Sequence, residues 1–311
     1  MSDDRPHSER YFTDARDHWW HADYLDLLRR RHRLDAAATV LEVGAGQGHF
    51  ARALAPHLAP GARVTLVDRE PRSLAIAAAR EGAWRAATGA TAAFAYAAAD
   101  AEALPFADGA FDAVVCQTLL IHVADRDRVM AELVRVCRPG GLLLLVEPNN
   151  AATLQLVAAR GPGADVGAAL AVARLHLRCT AGKAALGLGW NNAGVHLPAL
   201  LSGLDGVSFS NNDRAWRLAP PYADPQEQAA IADLRRDHAE GVCGWPRAEA
   251  ARYYLAGGGS ADELEADYGA ALRAQAEVLA EIDAGRYTAL VAFAGLIGVG
   301  RKPAAAPPLP R

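Results

Sequence analysis

Residues 40–50 read VLEVGAGQGHF, and this stretch decides the fold. It places glycines at three alternate positions, Gly44, Gly46 and Gly48, between an apolar run and a segment with helical periodicity. Glycines in such a place let the main chain turn tightly and let a ligand touch the backbone. The stretch therefore predicts a strand, a ligand-binding turn and a helix, with a purely structural turn as the alternative.

The chain around this turn alternates apolar runs with amphipathic segments as far as residue 150. Apolar strands separated by helices indicate a parallel sheet that helices cover on both faces, a doubly wound α/β fold. A helix in DRDRVMAELVRVC is predicted to stop at RPGG. The predicted strands of this half lie in ATVLEVGAG, ARVTLVDRE, AAFAYAAAD, FDAVVCQTLL and LLLLVEPNN.

The second half of the chain adds helical segments and two further strands, VSFSNNDRAWRLAP and TALVAFAGLIGVGRK. We interpret the helical segments as lid insertions in one core rather than as a second domain. The termini are polar or proline-rich and are expected to be disordered. The expected division is disorder at 1–9, an N-terminal cap helix at 10–35, a core at 36–302 with insertions at about 151–196 and 224–285, and a disordered tail at 303–311.

The composition limits the partners of this 311-residue chain. Its net charge is -4, which disfavours nucleic acid as a partner. No apolar run has the length of a membrane span and the first residues are polar, so we expect no membrane partner and a cytoplasmic location. The four cysteines form no C-x-x-C pair and the histidines lack ligand spacing, so no metal site is predicted.

Two carboxylates stand at the ends of predicted strands. Asp68 ends the second strand, where a carboxylate can accept hydrogen bonds from both hydroxyls of a ribose. Asp100 ends the third strand in ADAEALPF, where a carboxylate and a backbone N–H can meet the edge of an adenine. Together with the glycine turn, these positions favour a ligand that contains adenosine.

With these motifs in place, residues 40–150 resemble the core of the class I S-adenosylmethionine-dependent methyltransferases. The resemblance is to small-molecule enzymes with E-x-G-x-G-x-G and D-x-x-x-L-P-F, and it covers about a third of the chain. It implies a Rossmann-like, seven-stranded, mostly parallel sheet whose last strand is antiparallel. It also implies S-adenosylmethionine as cofactor and S-adenosylhomocysteine as product. The motifs that carry it are LEVGAGQG, LVDRE, ADAEALPF, FDAVVCQTLLIHV and RVCRPGGLLLLVEP.

The resemblance further implies which residues bind the cofactor. The neighbourhood of Glu42 and Gly44 would hold its methionine part, which Gln117 would face, while Asp68 would bind the ribose and Asp100 the adenine edge. The full set of implied cofactor-binding residues is Glu42, Gly44, Ala45, Gly46, Asp68, Arg69, Asp100, Ala101 and Gln117.

The methyl acceptor is expected at the same end of the sheet. His122 follows the fourth strand and is a candidate general base, with loop packing as the alternative. The candidate substrate-binding residues combine aromatic rings with amides, and each has packing or helix capping as its alternative role. They are Trp19, Tyr24, Asn149, Trp190 and Asn191.

The predicted function is methyl transfer to an oxygen or nitrogen of a small molecule or peptide natural product, in a specialised biosynthetic pathway. One alternative is methylation at carbon of a quinone-like or sterol-like acceptor. A nicotinamide-dependent oxidoreductase and a cofactor-binding protein without turnover are two more alternatives. The expected assembly is a monomer or a homodimer.

Overall fold

The computed structural model describes residues 14–152, 165–212, 215–292 and 294–304. A seven-stranded sheet forms its centre, and two further strands form a separate ribbon. The strands in these ranges are β1 (Thr39–Val43), β2 (Arg63–Asp68), β3 (Ala93–Ala98), β4 (Phe111–Gln117), β5 (Cys137–Pro148), β6 (Asp205–Asn211), β7 (Ala215–Leu218), β8 (Ala289–Ala292) and β9 (Gly295–Arg301).

The central sheet has the strand order β3-β2-β1-β4-β5-β9-β6. Strands β1 to β5 pair in parallel, whereas β9 runs antiparallel to both β5 and β6. The predicted α/β class, with a mostly parallel seven-stranded sheet and an antiparallel last strand, is confirmed. The order reverses between β1 and β4, so the loops after these strands diverge and leave a crevice at the carboxyl edge of the sheet.

Helices connect the strands and fill the two predicted insertions, and none of the described helices has the length and apolar character to cross a bilayer. Single-turn 3-10 helices occur at Asp14–His18, Leu34–Ala36, Ala55–His57, Leu120–His122 and Ala193–His196. The α-helices in the described ranges are α1 (Ala22–His32), α2 (His49–Leu54), α3 (Pro71–Thr88), α4 (Arg126–Val136), α5 (Val166–Ala185), α6 (Leu197–Leu200), α7 (Pro225–Ala239), α8 (Arg247–Ala256) and α9 (Ala261–Asp283).

The expected domain boundaries stay predictions. Helix α1 falls in the predicted cap, α5 in the first predicted insertion, and α7, α8 and α9 in the second. The disorder predicted at 1–9 lies outside the described residues, and so does most of the predicted tail. The first residue that the structure describes is 14 and the last is 304.

The two late strands predicted from the sequence are each divided in the structure. VSFSNNDRAWRLAP contains β6 and β7, and TALVAFAGLIGVGRK contains β8 and β9. Strand β5 ends at Pro148, which pairs with Gly295, the first residue of the antiparallel strand β9. The residues before Gly295 therefore lie beyond the end of β5. Without that central neighbour, β7 and β8 pair only with each other and form the separate ribbon.

The RPGG stretch was predicted to stop the helix in DRDRVMAELVRVC, and α4 does end at Val136, just before this stretch. The fifth strand, predicted in LLLLVEPNN, begins earlier than expected. Residues 138–141 lie within β5, which begins directly after α4 at Cys137. Hydrogen bonds extend the ladder here, because Gly140 N donates to Lys302 O and Lys302 N donates to Gly141 O. Pairing with the end of the chain thus overrides the local turn signal of proline and glycine.

Three apolar clusters hold these layers together. One contains side chains of α2 and of the β1 and β2 strands, and a second contains side chains of α4 with those of β4 and β5. The third lies in the helical insertions, where α5, α8 and α9 pack around Tyr254. There the buried carboxylate of Asp267 accepts hydrogen bonds from Arg174 and from the Tyr254 hydroxyl. The insertions therefore have a core of their own, which fixes α5 above the main sheet's loops.

The crossing of α5 and α8 depends on a glycine. A Cβ added at Gly182 would lie 1.7 Å from the carbonyl oxygen of Tyr253, whereas one added at Gly82 in α3 would meet nothing within 4 Å. We therefore expect Gly182→Ala to lower the free energy of unfolding by about 2 kcal/mol or more through overpacking. Gly82→Ala is the matched control and should raise it by roughly 0.5–1 kcal/mol. Urea denaturation of the three proteins measures both effects, and equal stabilities of the two variants would contradict the close helix crossing.

Candidate active site

The glycine loop, residues 44–48, follows β1 at the carboxyl edge of the sheet. Its three glycines all have positive φ, at 70° for Gly44, 52° for Gly46 and 71° for Gly48. A Cβ added at Gly44 would also lie 2.7 Å from a side-chain carbon of Leu119. Both the left-handed backbone and the close approach require glycine here. Gly44 is half-buried and the rest of the loop is buried, and contact of its main chain with a ligand stays a prediction.

Asp68 fastens the glycine loop to the end of β2. Its Oδ2 accepts a hydrogen bond of 2.8 Å from the backbone N–H of Gly46, and its Oδ1 accepts one of 2.9 Å from Glu70. The backbone N–H of Ala45 donates to Val67 O in the same region. Each carboxylate oxygen has a second lone pair, so Asp68 can position the loop and still accept hydroxyl donors from a ligand.

Glu42 lies on β1 directly beneath the glycine loop and is almost completely buried. Burial raises the pKa of its carboxyl to about 8, although a hydrogen bond from the backbone of Ala51 opposes the shift. Its Oε2 has no hydrogen-bond partner among the described residues. A buried acceptor of this kind calls for a donor, and an N–H of a bound ligand would satisfy it.

The residues predicted to contact an adenine lie next to Asp68. The backbone N–H of Ala99 donates to Asp68 O, which joins the end of β3 to the end of β2. Asp100 and Arg69 are exposed and Ala101 is half-buried. The structure thus brings the predicted ribose and adenine residues to one edge, and their roles stay predictions.

The cap segment, residues 14–32, reaches across to the end of β4. The indole N–H of Trp20 donates a 2.8 Å hydrogen bond to Oε1 of Gln117. The same indole stacks on Phe50 at 5.1 Å between ring centroids, and Phe50 lies in the first turn of α2, just after the glycine loop. Trp20 therefore links the cap segment to both sides of the crevice, and Gln117, a predicted cofactor residue, is oriented by this bond.

A second link joins the cap segment to the first turn of α2. Oδ1 of Asp17 lies 2.6 Å from Nδ1 of His49 and 3.1 Å from a terminal nitrogen of Arg52. Burial favours the neutral acid, but the hydrogen bonds and charges of His49 and Arg52 outweigh it and lower the pKa of Asp17 to about 2. Neither His49 nor Asp17 was predicted to matter, because their pairing joins positions that are far apart in the sequence.

The two aromatic residues of the cap segment that were predicted to bind substrate have other contacts in the structure. The Trp19 ring lies 4.7 Å from the guanidinium carbon of Arg16. The Tyr24 hydroxyl donates a 2.7 Å hydrogen bond to the carbonyl of Asn211, at the end of β6. Both residues thus help to fix the cap segment, and a contact with substrate stays a prediction.

The β4 loop, residues 118–122, is held by a buried carboxylate. Oε1 of Glu147 accepts hydrogen bonds of 2.9 Å and 2.8 Å from the backbone N–H groups of Leu119 and Leu120. Burial raises the pKa of Glu147 to about 7, and these hydrogen bonds oppose the shift. Thr118 has a φ of 55°, which is strained for a β-branched residue. Such strain persists only where the surroundings fix the backbone, as Glu147 does here.

The predicted base and the predicted asparagine lie at the ends of neighbouring strands. His122 is the last residue of the 3-10 turn Leu120–His122 after β4 and is half-buried. Asn149 follows β5, and its side-chain oxygen accepts a hydrogen bond of 3.2 Å from Ala152 N. This contact matches the capping alternative for Asn149, and its role in substrate binding stays a prediction.

The tryptophan loop, residues 189–196, contains Trp190 and Asn191 and lies beside the β4 loop. Lys183 of α5 joins the two, since its Nζ donates to Ile121 O at 3.0 Å and to Oδ1 of Asn191 at 2.7 Å. Lys183 is 2% exposed, and burial lowers its pKa to about 8. Sequence reasoning missed this lysine; the only local signal was a single charge among small residues in TAGKAALG.

The raised pKa of Glu42 predicts how the free energy of unfolding of this chain depends on pH. The ordinary pKa of a glutamate is 4.5 and that of Glu42 in the folded chain is about 8, so the unfolded state loses its proton first. Between these values the folded state binds more protons, and the free energy of unfolding falls as pH rises. We expect the loss between pH 5 and 8 to be about 2–4 kcal/mol smaller in Glu42→Gln than in the wild type. Denaturant titrations at both pH values measure this difference, and parallel losses in the two proteins would show that Glu42 does not titrate in this range.

Comparisons with known proteins agree with this geometry. Residues 41–145 match the family model described as "Methyltransferase domain". The chain is 39% identical over 127 residues to a demethylmenaquinone methyltransferase of Thermus thermophilus, covering 39% of this chain and 54% of that protein. It is 35% identical over 118 residues to a ubiquinone/menaquinone biosynthesis C-methyltransferase of Hahella chejuensis, covering 37% and 46%. Over 60 residues it is 47% identical to the methyltransferase GfsG of Streptomyces halstedii, covering 19% and 22%.

These matches span about half the length of the first two relatives and less of the third. The matched region holds β1 to β5 except the first residues of β1 and the last residues of β5, and with them the glycine loop, Asp68, Asp100 and Gln117. Helices α5 to α9 lie outside the family match. The resemblance found in the sequence is thereby confirmed for residues 41–145, which match a methyltransferase domain.

Proposed function

We propose that this chain transfers a methyl group from S-adenosylmethionine to a small-molecule acceptor. The observation that carries the proposal is the glycine loop, which Asp68 fixes through Gly46 above the buried, unpartnered Oε2 of Glu42. This arrangement offers main chain, hydroxyl acceptors and a buried N–H acceptor within one crevice. Those are the groups that the amino-acid and ribose parts of S-adenosylmethionine require.

The residues at the carboxyl edge fit the cofactor part by part. Glu42 and the glycine loop would hold the amino-acid part, and Asp68 has free lone pairs for ribose hydroxyls. Asp100, exposed at the end of β3, would meet the adenine. Gln117 is already fixed by Trp20, so its amide is oriented before a ligand binds. When bound, the cofactor supplies a methyl group that is activated by the positive sulfonium.

The residues of the chain then have to align the acceptor, exclude water and remove a proton where the acceptor carries one. Trp20 and the cap segment cover the crevice from one side. The β4 loop, held by Glu147, forms the wall between the glycine loop and the tryptophan loop. His122 ends that wall and is the candidate to take the proton of an oxygen or nitrogen acceptor.

Methylation at carbon of a quinone-like ring is the second candidate. It is favoured by the names of the two relatives from Thermus thermophilus and Hahella chejuensis, which concern quinone methylation. The helices that would select the acceptor lie outside the matched segment, so those names are weaker support for the acceptor than for the cofactor. Oxygen and nitrogen acceptors therefore stay in the proposal beside carbon.

Calorimetric titration of the purified chain tests the cofactor. We expect S-adenosylmethionine and S-adenosylhomocysteine to bind with micromolar affinity and NAD not to bind. Asp68→Ala should weaken both by roughly 10- to 100-fold, since hydrogen bonds to a charged acceptor contribute about 1.5–3 kcal/mol. Asp262→Ala, which removes an exposed carboxylate from α9, is the control and should bind like the wild type. Binding of NAD alone would support the oxidoreductase alternative and defeat the proposal.

An assay of turnover tests methyl transfer directly and distinguishes an enzyme from a protein that only binds the cofactor. S-adenosylmethionine with a labelled methyl group is presented with phenols, amines and demethylated quinols, and the label is followed into product. For an oxygen or nitrogen acceptor, His122→Ala should lower kcat by about 100-fold or more while leaving S-adenosylhomocysteine affinity unchanged. If kcat stays within a few-fold of the wild type, alignment rather than proton removal by His122 accounts for the rate.

A further inference from the structure

The tryptophan loop is packed directly against the ends of two central strands. A Cβ added at Gly189 would lie 2.3 Å from Ile121 O, and one added at Gly194 would lie 2.5 Å from Glu147 O. Such distances leave no space between the backbones. The loop is therefore fixed on the β4 loop at one end and on β5 at the other.

Buried polar side chains hold the loop in this position. Lys183 bridges Ile121 O and the side chain of Asn191, while the side chain of Asn150 donates to Asn191 O at 2.8 Å. Oδ1 of Asn192 accepts a 2.9 Å hydrogen bond from Ala151 N. Because these groups satisfy one another, the loop has a defined shape without any ligand, and the ring of Trp190 has a defined place.

Arg126, the first residue of α4, faces that ring. Its guanidinium carbon lies 5.7 Å from the centroid of the Trp190 ring, within the range of a cation–π contact. Its Nη1 is buried and has no hydrogen-bond partner among the described residues. It also forms no ion pair with a carboxylate in the described part of the chain. A shielded guanidinium donor without an acceptor is costly, so the site is incomplete as it stands.

The surroundings of Arg126 are partly exposed, since Arg126 itself is half-buried. The Trp190 ring also contacts the ring of His196 at 4.5 Å, and His196 is exposed. The β4 loop separates this place from the cofactor crevice by one layer of chain, since Leu119 lies against Gly44 while Ile121 lies against Gly189. A ligand held here would border the predicted methyl-transfer site.

From this geometry we infer that Arg126 and Trp190 form a binding site for a planar acceptor that carries a carboxylate. The guanidinium presents its N–H groups in a fork that matches a carboxylate, and the indole face suits a flat ring beside it. The inference rests on the proposed function and names the substrate class of the same site. The inference predicts an acceptor with a negative charge, which the negative net charge of the chain alone would not suggest.

The test uses 2-naphthoate as the anionic probe and 2-naphthamide as its neutral counterpart, titrated into the full chain saturated with S-adenosylhomocysteine. We expect 2-naphthoate to bind at least tenfold more tightly than 2-naphthamide. Arg126→Gln should remove that preference, and Arg126→Lys should keep only part of it because a lysine lacks the fork. Arg128→Gln is the matched control on the same helix, where Arg128 is exposed, and it should keep the full preference. Thermal unfolding confirms that each variant is folded.

Three results would overturn the inference: equal binding of the two probes, a preference that survives Arg126→Gln, or no binding of either probe. The failure of the proposed function looks different. If the proposed function is wrong, S-adenosylhomocysteine does not bind to the chain. The two probes are then titrated into the chain without S-adenosylhomocysteine. An Arg126-dependent preference for 2-naphthoate would then establish the anion site without methyl transfer, whereas S-adenosylhomocysteine binding without the preference defeats the anion site alone.

Discussion

The two hydrogen bonds from the β4 loop to the carboxylate of Glu147 are the interaction on which the rest of the site depends. They fix a short, strained segment whose two faces serve different purposes. Leu119 packs against the glycine loop, and Ile121 packs against the tryptophan loop. A loss of these bonds would loosen both walls of the crevice at once. The full burial of Glu147 makes the bonds strong but leaves little tolerance for an unsatisfied partner.

Close backbone approach is the second constraint, and glycine supplies it at each junction. Gly44 admits Leu119, Gly189 admits Ile121 O, and Gly182 lets α5 cross α8. These contacts bring Lys183 close enough to join the two loops. Helix α5 therefore has two structural roles, because it crosses α8 at Gly182 and its Lys183 joins the β4 loop to the tryptophan loop.

The cap segment gives the site its other wall. Trp20 binds Gln117 and stacks on Phe50, while Asp17 contacts His49 and Arg52. Both links join the beginning of the chain to residues of the cofactor crevice. An indole N–H and a carboxylate of low pKa thus attach the cap segment to the core, whereas the aromatic residues chosen from the sequence were Trp19 and Tyr24.

The sequence by itself determined the sheet, its parallel strands and the residues around the glycine loop, since strand periodicity, glycine spacing and Asp68 are local signals. It placed the start of the fifth strand too late and merged β6 with β7, because pairing between distant strands decides where a strand begins and ends. Only the tertiary structure revealed that Arg126 lies against Trp190 and that Lys183 joins the β4 loop to the tryptophan loop. The role of such a cation depends on how deeply it is buried and on which residues far away in the chain it contacts. Neither can be inferred from its neighbours in the sequence.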